Sequence, residues 1–462
     1  MVQSSQGQRP PQLVGDAGAP VHLPGDARGR FVIRRSLWVF WLLFAINTLN
    51  YLDRLVTLAV GPTLKLEFHL TDRDIGVLGS AFLLVYTLSA LPLGALADRL
   101  NERARVIAVG VAVWSVFSGL TAFVRGFGGL FATRAAVGVG EASYGPAGAA
   151  LLASYYPPER RAGVIGRWQV GQTLGALLAF LVAGALFAWL PAHLAWRAAF
   201  LVTAAPGLLL AALVWRLADQ RAERVQPLAD LPDEAHAPRS LALRMEARSL
   251  AFQALQTLRI PMIWVVVALQ ALSFIVITPA FTFLPLYVRA ARGPFHLGAA
   301  HAAFALGLTL VVGGFLGAIL GGQLSDRLNR SVPGGRVMAI TIGFAAAIPC
   351  YVVMLLATSL LVFLLASALT AFALNLPTAA LTATTQDVAP ARLWATAIAV
   401  TMLLSHLLGD IWASTAVGAL STALHERIGL ALLLVGLPAL AVGAALSLVG
   451  VRMYARRQSA LA

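Results

Sequence analysis

Six ionisable residues stand where an apolar chain has no ordinary use for charge. Asp53 and Arg54 lie in FAINTLNYLDRLVTLAV, Arg134 and Glu141 in FATRAAVGVGEASYG, and His406 and Asp410 in SHLLGD. A charge at the middle of a bilayer costs roughly 2.5–3.5 kcal/mol even on the most lenient insertion scale, so such residues mark an ion, proton or solute path by default. Asn47, Asn50 and Asp53 step by three residues and Thr57 follows four later, which puts them on one polar stripe of a helix. Arg134, Gly138 and Glu141 at i, i+4 and i+7 likewise share a face, and Gly138 and Gly140 allow another helix to come close. A carboxylate beside a permanently charged guanidinium stays ionised until that partner is drawn away. Protonating Asp53 or Glu141 would then free Arg54 or Arg134 to bind an anionic head group, or the reverse. The competing reading is a structural ion pair that only fixes helix packing. His406 and Asp410, four apart, form a second acid–base pair that either titrates near neutral pH or links helices.

The elements that must position these residues are membrane helices. The chain has 462 residues, 59% hydrophobic and only 12% charged, against about 25% charged in soluble proteins, and its mean hydropathy is +0.80. Unalternated Leu/Ala/Val/Gly runs of about 20 residues argue helical spans rather than a barrel. We count twelve, near 37–62, 74–97, 106–125, 129–155, 162–190, 196–216, 260–288, 299–324, 337–356, 359–385, 392–420 and 428–452. The net charge of +14 does not imply nucleic-acid binding, because the arginines cluster at the ends of apolar runs. They are richest before span 1, in alternate loops and in the tail, which places both termini in the cytoplasm of a multi-pass (inner) cell-membrane protein. Lys65 is the only lysine, and the arginine- and alanine-rich composition suggests a bacterial source. Residues 1–30 carry no apolar stretch that would serve as a cleavable signal. Cys350 has no partner for a disulfide. There is no phosphate loop, metal-ligand cluster or nucleophile–base set, so neither enzyme, cofactor nor metal is expected.

The domain expectation is a disordered cytoplasmic N-terminus (1–35), a six-helix half (36–216), a cytoplasmic linker with an amphipathic helix (217–258), a second six-helix half (259–453) and a tail (454–462). An internal repeat supports the split. Gly94-Ala-Leu-Ala-Asp98-Arg99-Leu-Asn recurs as Gly322-Gln-Leu-Ser-Asp326-Arg327-Leu-Asn, 228 residues later. A motif repeated at half the chain length is the mark of two parallel half-transporters. Asp53 falls opposite Phe281, Arg134 opposite Val362, and His406 and Asp410 opposite Leu178 and Val182. The two halves are therefore chemically unequal.

GALADRLNERAR resembles the loop between spans 2 and 3 of the major facilitator superfamily, with Asn101 where a glycine is usual, and Arg134–Glu141 resembles that family's span-4 motif. More narrowly, NYLDR (50–54), TRAAVGVGEASYGP (133–146) and SHLLGD (405–410) are similar to the Spinster branch, which carries lysolipids and sphingosine phosphate. The resemblance implies an all-α fold of two pseudo-symmetric six-helix halves, working as a monomer by alternating access. It implies proton-coupled transport of an amphipathic anion, or of a drug or small organic anion. Asp53 and Glu141, with His406 and Asp410, would be the proton sites. Arg54, Arg134, Asn50, Tyr51 and Phe281 would meet substrate. Gly94, Asp98, Arg99, Arg103, Asp326 and Arg327 would latch the halves. Arg167 and Gln172 are weaker candidates. Phe274, Phe281 and Phe283 in span 7, interrupted by Pro279 and Pro285, suit a hinged apolar wall, and Asn375-Leu-Pro377 suggests a bend in span 10.

Overall fold

The computed structural model describes residues 25–100, 102–156, 158–217, 252–290, 294–390 and 393–461, and every regular element among them is helical. The first half comprises α1 (Gly25–Glu67), α2 (Asp72–Leu100), α3 (Arg103–Thr121), α4 (Phe127–Ala142), α5 (Tyr144–Ser154), α6 (Pro158–Trp189) and α7 (Ala192–Trp215). The second comprises α8 (Pro261–Arg289), α9 (Ala299–Leu306), α10 (Val312–Ser331), α11 (Gly335–Leu356), α12 (Leu360–Asn375), α13 (Pro377–Val388), α14 (Trp394–Leu408), α15 (Asp410–Ala423) and α16 (Ile428–Leu461). Leu and Ala favour helix wherever nothing interrupts them. The starts follow local chemistry: the Thr71 backbone N–H donates to Asp74 Oδ2 (2.8 Å) while the Asp74 N–H donates to Thr71 Oγ1 (3.2 Å), a reciprocal cap for α2. Pro261 and Pro377 open α8 and α13 at the position where a missing N–H costs nothing.

Among the described residues ten helices, some running through a break, are long and apolar enough to cross a membrane. The other two rods, α1 and the α4–α5 pair, complete an arrangement consistent with twelve spans. They are also the ones that carry Asp53, Arg54, Arg134 and Glu141. Helix α1 begins at Gly25, ahead of the expected membrane boundary near 36. Most of the linker lies outside the described residues, and only 252–258 of its expected amphipathic helix is seen, as helix.

Four spans are discontinuous. Span 4 breaks at Ser143, span 8 contains a π-helical turn over Gly307–Val311, span 10 breaks at Leu376 as Pro377 implies, and span 11 breaks at Gly409. Span 7 corrects an expectation: despite Pro279 and Pro285, α8 is one uninterrupted helix of 29 residues.

Within the first half α1 packs on α6 and α3 on α7; within the second α11 packs on α12 and α16. Across the halves α2 packs on α15, α1 on α8 and α6 on α9. The α2–α15 seam is so close that a Cβ on Gly76 would stand 2.2 Å from the Ser414 carbonyl oxygen, and one on Gly418 2.3 Å from that of Asp72. Buried Asp72 accepts from Lys65 Nζ (2.7 Å) and Ser421 Oγ (2.6 Å), and Thr415 Oγ1 donates to Ser80 Oγ (2.8 Å). Among the described residues, the hydrogen bonds and ion pairs that join the two halves all lie toward the end of the bundle opposite the termini. The molecule is closed at that distal end.

Candidate functional site

Asp53 and Arg54 are consecutive on α1, so their side chains leave the helix about 100° apart. Each finds a different partner. Arg54 reaches α4, where Nη2 and Nε donate to Glu141 Oε2 at 2.9 and 3.1 Å. Asp53 faces α3 and α7: Ser118 Oγ donates to its Oδ1 in a short hydrogen bond, and Thr203 Oγ1 donates to the same oxygen at 2.7 Å. Arg134 Nη1 lies 3.6 Å from Asp53 Oδ2 and donates to Thr57 Oγ1 at 2.8 Å. The sequence-adjacent acid and base are thus both paired with span 4, crosswise. Asp53, Arg134 and Glu141 are each 3% exposed or less.

Two carboxylates balance two guanidinium groups, which is what allows four charges to be buried together. The pairing leaves capacity unused. Glu141 Oε1, Asp53 Oδ2 and both Nε and Nη2 of Arg134 make no hydrogen bond to protein. Each carboxylate therefore keeps an oxygen on which a proton can reside, and Arg134 keeps donors for an anion. Aromatic rings complete the shell. The Arg54 guanidinium carbon lies 4.6 Å from the Tyr86 ring centre, 5.1 Å from Tyr51 and 5.2 Å from Phe82, and that of Arg134 lies 5.2 Å from Phe200. Such faces stabilise a desolvated cation without neutralising it.

The cluster opens on a cavity of about 190 Å³ between the halves, walled by apolar side chains of α1, α2 and α8 and reached by Arg54, Arg134, Phe281, Thr282 and Asp410. Asp410 gets there because the helix breaks at Gly409 and restarts with Asp410 in its first turn. His406, on the preceding segment, lies with Nδ1 2.9 Å from Asp410 Oδ2, and its ring stacks on Phe274 at 4.7 Å between centroids and 8° between planes. The second acid–base pair is therefore formed, and its carboxylate faces the same cavity as the two arginines.

Not every sequence candidate is there. Asn50 is buried outside the cavity wall with its Nδ2 unbonded, and Tyr51 meets Arg54 rather than the cavity. Asn47 donates to the Trp168 carbonyl oxygen at 2.9 Å, a helix-packing bond between α1 and α6. Arg167 is exposed and turns back to its own helix at Gly163. Phe281 lines the cavity, Phe274 carries His406 and Phe283 is fully buried, so the span-7 aromatics face inward. Gly94 and the side chains of Asp98 and Arg99 lie outside what the structure describes of α2, and Arg103 opens α3. In the second copy of the motif Arg327 is exposed, while Asp326 faces Arg336 at 3.8 Å, and Arg336 also reaches Asp387 at 2.8 Å. Those contacts tie α10, α11 and α13 of one half to each other. Ser118 and Thr203 escaped the sequence reading. Their only signal is a hydroxyl inside an apolar span, and Ser118 shares α3 with Ser115 and Thr121.

A family model described as Major Facilitator Superfamily matches residues 43–414. The chain belongs to the Major Facilitator Superfamily. As a superfamily member it is a multi-pass membrane protein. It is 27% identical over 427 residues to Protein spinster of Drosophila melanogaster, an alignment covering 88% of this chain and 66% of that protein. It is 31% identical over 188 residues to the galacturonate transporter of Dickeya chrysanthemi, covering 40% of this chain and 52% of that one. The chain thus spans about two thirds or less of these relatives' lengths. In fold it is similar to the crystal structure of a bacterial homologue of the human lysosomal transporter Spinster in an inward-facing, unoccupied conformation. There the TM-score is 0.76 at 23% identity, covering 91% of this chain and 98% of that one.

Proposed function

We propose that the protein moves amphipathic anions, lysolipid-like molecules with an acidic head group, across an inner cell membrane by proton-coupled alternating access. The observation that carries this reading is the crosswise pairing of Arg54 with Glu141 and Arg134 with Asp53 at the wall of an apolar cavity between the halves. Each carboxylate faces one guanidinium and keeps one oxygen without a hydrogen bond to protein, Oε1 on Glu141 and, on Asp53, the Oδ2 that faces Arg134. A proton arriving on Asp53 or Glu141 removes the charge that holds its arginine, and that arginine turns to the substrate anion. A departing proton reverses the exchange. Such a mechanism needs the two cations to be permanent and the carboxylates to be buried. Guanidinium groups stay charged, and Asp53 and Glu141 are both buried, which supports the reading. His406 and Asp410 offer a second proton site on the opposite wall. The protein works as a monomer, with both termini in the cytoplasm.

The galacturonate transporter among the relatives favours a second reading, in which the same charges handle a small, hydrophilic organic acid. Liposomes containing the purified protein separate the two. Under an imposed pH gradient, lysophospholipid or sphingosine phosphate is expected to accumulate faster than galacturonate or another small carboxylate. Accumulation of the small carboxylate alone overturns the lipid reading and keeps the other.

A further inference from the structure

We propose that the closed distal seam carries a second binding site, for the head group of an anionic amphiphile, whose occupancy loosens the closure. The assignment of ligand class rests on the function proposed above; the site itself rests on its own geometry. A cavity of about 460 Å³ lies in the seam between α1, α8 and the turn before α16. Its walls include Lys65, Leu66, Leu286, Arg289, Glu426 and Ile428. Lys65 Nζ bridges Asp72, 2.7 Å away and buried, and Glu426, 3.1 Å away with its side chain half exposed. Arg289 donates through Nη1 to Thr63 Oγ1 at 3.1 Å and meets no carboxylate among the described residues.

The charges around the pocket are not equivalent. Asp72 is committed to Lys65 and to Ser421. Lys65 thus shares its charge between Asp72 and Glu426, and Arg289, which lines the pocket with His425, is the cation there that meets no carboxylate among the described residues. A guanidinium presents five donors in a planar fork suited to phosphate or carboxylate, and one hydrogen bond from Arg289 leaves most of them unused. Leu66, Leu286 and Ile428 supply an apolar rim beside the cations, with Leu66 69% exposed. An acidic head group with an attached alkyl chain matches both parts. An inorganic anion matches only the first.

Binding there competes with Glu426 for Lys65, and this competition connects the site to the gate. The Lys65–Glu426 pair crosses from the first half to the second. Glu426 and its neighbour His425 both hold left-handed backbone, with φ of 63° and 57°. Non-glycine residues rarely adopt that region and keep it only where contacts hold them. An anion that takes Lys65 from Glu426 therefore weakens an inter-half ion pair and lets a strained turn relax.

The test uses the full chain in phosphatidylcholine nanodiscs, with Cys350→Ser and Leu430→Cys and a bimane fluorophore on the new thiol beside the pocket. Dodecyl phosphate is expected to give a saturable spectral change. Arg289→Gln is expected to raise its midpoint about 10-fold or more, the loss typical of a charge-assisted hydrogen bond. Glu426→Gln, which removes the competitor, is expected to lower the midpoint several-fold, an effect that a merely structural role does not produce. Inorganic phosphate should act only at far higher concentration and dodecyl maltoside not at all. The site is overturned if dodecyl phosphate gives no saturable change, if Arg289→Gln titrates like the parent, or if Glu426→Gln weakens the response. Equal action of inorganic phosphate overturns the amphiphile assignment. The signal is read without transport, so central-site variants that abolish transport are expected to leave it intact. A titration lost in Arg54→Gln would place the anion in the central cavity instead and overturn the distal site.

Discussion

Arg54 and Glu141 are 87 residues apart in the chain, yet one carboxylate oxygen takes two donors from the guanidinium, at 2.9 and 3.1 Å. The Glu141 side chain is fully buried and that of Arg54 is 19% exposed. Removing one member of such a pair leaves its partner's charge buried and unpaired, whereas removing both removes the problem. Glu141→Ala is expected to destabilise the protein by about 3 kcal/mol, the lower end for a broken buried pair because Arg54 opens on the cavity. The double variant Arg54→Met/Glu141→Leu should recover most of that loss. Thermal unfolding in detergent micelles checks both, and a double variant less stable than Glu141→Ala refutes the account.

Asp53→Asn keeps the shape of the side chain and can still accept from Ser118 and Thr203 at one oxygen, but it cannot exchange a proton or hold Arg134 electrostatically. We expect a folded protein whose transport no longer responds to an imposed pH gradient. Uptake measured across a series of external pH values should be flat in the variant and sloped in the parent. A full response in Asp53→Asn moves the proton site to Glu141, and a full response in Glu141→Gln as well moves it to His406 and Asp410.

The two hydroxyls that hold Asp53 come from α3, which also buries Ser115 one turn before Ser118, and from α7. Ser118→Ala or Thr203→Val deprives a buried carboxylate of one donor and is expected to cost about 1–3 kcal/mol each. Their combination should fall short of the sum, because both donate to the same Oδ1. Denaturation of the single and double variants measures the coupling directly.

At the distal seam, Gly76 and Gly79 are one turn apart on α2 and respond differently to a methyl group. A Cβ at 76 would lie 2.2 Å from the Ser414 carbonyl oxygen, and at 79 3.8 Å from the nearest atom. Gly76→Ala should therefore push α2 away from α15 and populate a distally open state, while Gly79→Ala leaves the seam closed. Spin labels on either side of the seam would register a longer distance in the first variant only.

Much of the site was legible before any fold. A charge within an apolar run is expensive, so its presence there is a signal that needs no partner to be seen, and Asp53, Arg54, Arg134, Glu141, His406 and Asp410 all announced themselves in this way. His406 and Asp410 could even be paired in advance, because a four-residue step within one span settles the question locally. The helical break between them could not. Nothing in SHLLGD marks Gly409 as a stop, and the break depends on the close approach of the Ala271 backbone on α8. Ser118 and Thr203 were invisible for the opposite reason: single hydroxyls in membrane helices usually bond their own backbone, as Thr121 and Thr401 do here.

The sequence by itself determined the class of the protein. Hydropathy sets the spans, the repeated G-x-x-x-D-R-L-N sets the two halves, and the unequal charges show that only one half carries the arginine–carboxylate set. These are properties of composition and period, which survive without knowledge of any contact. The tertiary structure decided which acid meets which base, and that the halves close at the distal end. Partner choice depends on the rotation and depth of each helix relative to its neighbours. Within the first half that alignment is held by close glycine contacts such as Gly140 on Gly110 and Gly175 on Thr48, and across the halves by Gly76 on Ser414 and Gly418 on Asp72, the last two between residues more than 300 positions apart. No local pattern encodes that alignment.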